Sequence, residues 1–264
     1  MSVPLYFVDA FAYAPYTGNP AAVVLLDRQA PDEWMRALGA ELNQAATAFV
    51  APRDDGTFDL RWMTATSELE LCGHGTLAAA HILREKGAAI TFHTLAGELH
   101  ARLSDGSVTL DFPALPPRTV PRPAELDRVL PADEPVAVYR TDLDYLVELG
   151  SEAQLRDARP DLDALAELAV RGLILTAAAT DGAKDHDFVS RFFAPARGIP
   201  EDSVTGSAHC ALAPHWLPRF GAETITGYQA SSRGGYVRVS QPSPDRVGLT
   251  GNAITLISGT LHDP

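Results

Sequence analysis

Only two cysteines, Cys72 and Cys210, occur in 264 residues. That is too few for a disulfide-stapled secreted domain and suits a reducing compartment. No apolar run approaches the roughly 18–20 residues of a membrane-spanning helix, so no membrane partner is expected. Basic residues are in deficit, with 21 Lys and Arg against 34 Asp and Glu and a net charge of −13. A duplex-binding protein needs a basic face to neutralise phosphates, so no nucleic-acid partner is expected either. The opening MSVPLYFVDAF has no basic stretch ahead of an apolar core, and no signal peptide is expected. Neither G-x-G-x-x-G nor G-x-x-x-x-G-K-[ST] occurs, which removes the dinucleotide and P-loop fingerprints. No ligand spacing suggests zinc, so no metal is expected. What is present is an acidic chain of ordinary globular composition, 46% apolar and 21% charged. A cytoplasmic protein acting on small molecules fits that balance.

Short strand-like runs dominate. They include LYFVDAF (5–11), AAVVLL (21–26), TAFVA (47–51), FDLRWM (58–63), VTLDF (108–112), GLILTA (172–177), DFVSRFFA (187–194) and YVRVS (236–240). Each is rich in β-branched or aromatic residues and bounded by turn residues. Ser104-Asp105-Gly106-Ser107 reads as a hairpin turn. Helices are expected over 31–40, 74–86 (stopping at Gly87), 161–170 and 207–217. Prolines at 116, 117, 121 and 123 deny residues 114–135 a sheet or helix interior, and this stretch reads as a linker into a short helix.

On either side of that stretch the chain repeats an order. Arg61-Trp62-Met63, a polar loop, Cys72-Gly73-His74-Gly75 and an Ala-rich helix are followed by paired strands. Arg191-Phe192-Phe193, a longer polar loop, Thr205-Gly206-Ser207-Ala208 and a second Ala-rich helix are followed by another pair. Duplication predicts an α+β fold of two pseudo-symmetric lobes, each a rolled, mostly antiparallel, barrel-like sheet around a central helix. The expected lobes are residues 1–118 and 119–264, with the last strand free to return to the first.

Both glycine turns open a helix, whose unpaired N–H groups and partial positive charge favour carboxylates and developing enolates. Cys72, His74, Glu201, Asp202, Ser207 and His209 are groups near the turns able to move protons or orient a substrate. The competing reading is structural: Gly73 and Gly206 let helix and sheet pack closely, Ser207 caps, and Cys72 is an ordinary buried cysteine. Asn19 is expected to hold a turn near the site. His81 is expected to be a satisfied structural histidine, and His186 to lie on a solvated loop.

The blocks VDAFAYAPYTGNPAAVVLL, FDLRWMTATSELELCGHGTLAAAHIL, RFFAPARGIPEDSVTGSAHCALAPHW and VGLTGNAITLISGTL, together with Arg233-Gly234-Gly235, resemble the PhzF-like phenazine-biosynthesis family. The resemblance implies a diaminopimelate-epimerase-like fold with the active site between two lobes. It also implies a homodimer and cofactor-free isomerase or epimerase chemistry on a small carboxylate. The name-giving member isomerises dihydro-hydroxyanthranilate. Gly73 and His74, and Asp202, Gly206 and Ser207, match the family's site motifs. The family's acid/base glutamate, in N-L-S-E-T-A-F-V, falls on Ala46 of Asn43-Gln44-Ala45-Ala46-Thr47-Ala48-Phe49-Val50. An alanine carries no proton. Either the base has moved to Asp202, His74 or Cys72, or the chain binds small molecules without turning them over. The family's two-thiol racemisation is disfavoured, because Thr205 stands opposite Cys72.

Overall fold

The computed structural model describes residues 2–131 and 134–262. Two compact units emerge, one formed by Met1–Phe112 with Gly248–Pro264 and the other by Pro113–Val247.

In the first unit, β1 (Ser2–Ala10) and β2 (Asn19–Leu25) pair antiparallel. After α1 (Asp32–Leu42), β3 (Ala46–Pro52) runs parallel to β2 with Ala46 beside Ala21. Then come β4 (Phe58–Met63) and the two-residue β5 (Glu68–Leu69). The helix α2 (Gly73–Ile82) leads to β6 (Ala89–Thr94), β7 (Gly97–Ser104) and β8 (Ser107–Pro113). The tight turn from β7 to β8 holds Asp105 and Gly106 at φ +49° and +82°, the conformation an Asp-Gly hairpin favours. β4 pairs with β6 in parallel across the connection that contains α2.

In the second unit, β9 (Arg118–Thr119) and α3 (Glu125–Val129) precede the antiparallel pair β10 (Ala137–Arg140) and β11 (Asp144–Glu148). The short helices α4 (Glu152–Asp157) and α5 (Leu162–Ala166) are each capped by a side chain, from Ser151 and Asp161. β12 (Gly172–Ala178) lies parallel to β11, and β13 (Phe188–Ala194) follows antiparallel. β14 (Ile199–Asp202), α6 (Gly206–Phe220), β15 (Thr224–Gln229) and β16 (Gly235–Ser243) complete it, with β13 and β15 parallel. From β10 to β16 these pairings repeat the sense of those from β1 to β7. Arg61 on β4 faces Phe49, and Arg191 on β13 faces Leu175, so the two copies share their register as well as their order.

The last strand, β17 (Arg246–His262), pairs with β1 and with β8. This closes the first unit into an eight-stranded barrel in the order β1-β2-β3-β4-β6-β7-β8-β17. α2 is built mostly of Gly, Ala and other apolar residues, and His74 to His81 are all buried, as a helix inside a barrel requires. Met35 and Leu38 of α1 pack with Val24, Phe49 and Met63.

Several expected boundaries shift. The proline-rich stretch belongs to the second unit, where Leu126 and Val129 of α3 are core residues. The helix expected over 161–170 is confined to α5, and α2 gives way to a 3-10 turn at Arg84–Lys86. α6 runs past 217 despite Pro214 and Pro218. Pro214 has no N–H to give the carbonyl of Cys210 four residues back. The backbone N–H of Leu115 takes that place at 3.0 Å, tying the proline-rich stretch to the helix.

Candidate active site

Each turn is held by the same device. In the first unit Arg61 grips Glu68 with two bonds of 2.7 Å. In the second, Arg191 grips Glu201 with bonds of 2.7 and 3.0 Å. Both glutamates stand five residues ahead of the glycine that opens the helix. A bidentate guanidinium–carboxylate pair fixes orientation as well as distance, so strand and turn are locked together in each copy. Glu201, a candidate proton carrier from the sequence, is spent in this clamp.

The next shared device lies one turn into each helix. Thr76 Oγ1 donates to the carbonyl of Cys72 at 2.6 Å. His209 Nδ1, at the matching place, lies 2.8 Å from the carbonyl of Thr205. His209 is fully buried, and burial holds its pKa down at about 4. It is a neutral structural histidine bound to its own helix. Cys210 is also buried, and desolvation raises its thiol to about 12. That excludes it from acid/base work.

The α2 turn gathers Cys72, His74 and Asn19. Cys72 caps the helix with extended backbone. Its Sγ lies 3.6 Å from Nδ1 and 3.8 Å from Nε2 of His74. Asn19 Nδ2 donates to His74 Nδ1 at 3.3 Å, which leaves the neutral ring its proton on Nε2. Gly18, at φ +73°, delivers Asn19, and a Cβ there would lie 2.3 Å from the carbonyl oxygen of Ala10. Gly75 lets the helix lie against Trp62, since a Cβ would come within 2.7 Å of the indole. Cys72 and His74 are both buried, whereas Gly73 is partly open.

The α6 turn is arranged differently. Asp202 ends β14 half-buried, and Thr205 Oγ1 donates to its Oδ2 at 2.6 Å. Gln229 fastens the turn, accepting from the Thr205 N–H and donating to the Asp202 carbonyl, both at 2.8 Å. Ser207, expected on the structural reading to cap, does not: Thr205 is the cap residue and no side chain caps the helix. Ser207 Oγ instead lies 2.8 Å from Nη1 of Arg171. Arg171 in turn forms a two-bond pair with Asp144, Nε to Oδ1 at 2.9 Å and Nη2 to Oδ2.

No local sequence pattern singles out Arg171 or Asp144. They lie 36 and 63 positions before Ser207 in the chain, and only the parallel register of Asp144 beside Gly172 brings the first two together. Ala46, the first residue of β3, is fully buried, and no side-chain acid belongs to that position. His81 is structural as expected: it contacts Arg84 and Thr255, and burial lowers its pKa to about 4. His186 lies, as expected, in an exposed loop ahead of β13, but its own ring is tucked in. Its Nε2 sits 3.4 Å from Glu152 Oε2, largely covered. No group of metal-ligating side chains occurs among the described residues.

Residues 8–259 match the model of the phenazine biosynthesis-like protein family, PhzC-PhzF. An uncharacterized isomerase of Halalkalibacterium halodurans is 41% identical over 99% of both chains. A second uncharacterized isomerase, from Pseudomonas aeruginosa, is 42% identical over 99% of both. The crystal structure of a phenazine biosynthesis protein of the PhzF family from Enterococcus faecalis superposes with a TM-score of 0.92 at 34% identity. That match covers 99% of this chain and 100% of the other.

Proposed function

Because the chain belongs to the PhzC-PhzF family of phenazine biosynthesis-like isomerases and epimerases, we propose that it transfers a proton at a carbon adjacent to the carboxylate of a small molecule, without a cofactor. At each helix start, Gly73-His74 in the first unit and Gly206-Ser207 in the second, the N–H groups are the proposed partners of a carboxylate or of the negative charge that develops when a proton leaves. Asp202 is the proposed general base. The observation that carries this choice is its placement: a half-buried carboxylate, oriented by Thr205 and immediately ahead of the α6 turn. His74 is the proposed second proton carrier, kept in one tautomer by Asn19. Cys72 supports the imidazole from the helix cap.

Deuterium uptake from solvent tests this reading, with dihydro-hydroxyanthranilate as the first substrate. The expected result is exchange that falls about 10²–10⁴-fold in Asp202→Asn, the usual cost of losing a placed general base. Exchange that survives Asp202→Asn but fails in His74→Gln or Cys72→Ala moves the base to that residue.

One observation favours a second reading. Ala46, proposed to stand where the family carries its acid/base glutamate, offers no titratable group. A binding protein without turnover follows if the wild-type chain binds the carboxylate and exchanges nothing. A cytoplasmic homodimer completes the proposal, on the family resemblance alone.

A further inference from the structure

Building on the small-carboxylate reading of the α6 turn, we propose that Asp144 and Arg171 are positioning residues that make Ser207 a hydrogen-bond donor to the substrate carboxylate. A guanidinium has donors only, whereas a serine hydroxyl has one proton and two lone pairs. In the 2.8 Å contact with Arg171 Nη1, Ser207 Oγ must therefore accept. Its own proton points elsewhere, and no acceptor for it stands among the described residues.

Arg171 can dictate this polarity because its other edge is fixed. Nε and Nη2 both donate to Asp144, whose side chain is 1% exposed while that of Arg171 is 25% exposed. The guanidinium also lies over the Phe192 ring, 5.2 Å from its centre. A planar fork held on two bonds and a ring face has little freedom left. Ser207 is the second residue of α6, where backbone N–H groups have no helical acceptor. A hydroxyl that donates among such groups selects an anion over a neutral amide. The matching residue ahead of β3 is Ala45, so the arm exists in one copy of the repeat only.

Calorimetric titration of the full chain with anthranilate and with its neutral isostere anthranilamide separates the possibilities. The wild type is expected to prefer the carboxylate. Ser207→Ala should cost about 10- to 100-fold in anthranilate affinity, the usual worth of a hydrogen bond to a charged group, and much less for the amide. Arg171→Met alone would strand a buried Asp144 carboxylate. The combined Arg171→Met and Asp144→Leu variant avoids this and should lose a similar factor. In a Ser207→Ala background it should cost nothing more, and Arg171→Lys should recover part of the preference. An unchanged preference for anthranilate in the combined variant, or an equal loss for both probes, overturns the positioning role and leaves the carboxylate reading intact. Additive losses with Ser207→Ala overturn it too, since Arg171 would then touch the ligand directly. A wild-type chain that binds neither probe overturns the carboxylate reading and this inference together.

Discussion

His209 and Thr76 do the same job with different chemistry, and the difference carries a pH signature. Burial depresses His209 from 6.5 to about 4, so the folded chain keeps it neutral. Above pH 6.5 neither state binds the proton and the full stability is present. As pH falls toward 4 the unfolded chain takes up the proton first, and stability is lost across that window. The shift corresponds to roughly 3 kcal/mol. His81 acts in the same direction. His209→Thr, which copies the first repeat, should flatten the acid limb of a urea-denaturation profile. It should also lower the plateau, because a cavity opens beside Phe188. The clamp residues make a second test. Arg191 is 9% exposed and also donates to the carbonyls of Leu155 and Ala158, while Glu201 keeps 27% exposure. Glu201→Gln should cost about 1–3 kcal/mol in urea denaturation, below the figure for a fully buried pair because the glutamate stays partly solvated.

At the scale of elements, α2 is where composition and packing meet. Its Gly and Ala residues are there because the barrel interior admits only a slim helix, and Gly75 is pressed against Trp62. Gly75→Ala should destabilise the chain by about 1–3 kcal/mol through overpacking, read as a lower melting temperature. The same change should disturb the Cys72–His74 contact, since the new Cβ would also lie 3.0 Å from Cys72 Sγ. The repeated turn and helix were legible in the sequence because their glycines and small residues are local requirements. The ends of α5 and α6 were not. α5 stops early although its residues suit a longer helix, and α6 continues through two prolines because Leu115 supplies the bond that Pro214 cannot. Asn19 was expected near the turn, and its bond to His74 shows why.

At the scale of the whole molecule, closure of the first unit depends on the end of the chain. β17 lies between β1 and β8, and Thr250 bonds Thr109 across the second of these seams at 2.8 Å. Truncation after Val247 would leave two long strands with unpaired edges. The expected outcome is loss of amide-exchange protection throughout β1 to β8 and aggregation on purification. The proposed homodimer should run in light scattering at twice the 28.2 kDa chain mass.

The class of fold, the duplication and the two turns are legible in the chain alone. These are written in short-range patterns: strand-like runs bounded by turn residues, glycines at helix starts, and the small residues that follow them. Residues 74 and 207 could be singled out for the same reason. What those residues touch depends on how the strands pair. Asp144 and Arg171 reach Ser207 through a parallel strand pairing that no local pattern encodes. His209 was a candidate proton carrier until burial and its bond to Thr205 made it structural. Glu201 was another until Arg191 claimed both its oxygens. A side chain's protonation and reach are set by the neighbours that folding brings together, and those neighbours lie tens of residues away in the chain.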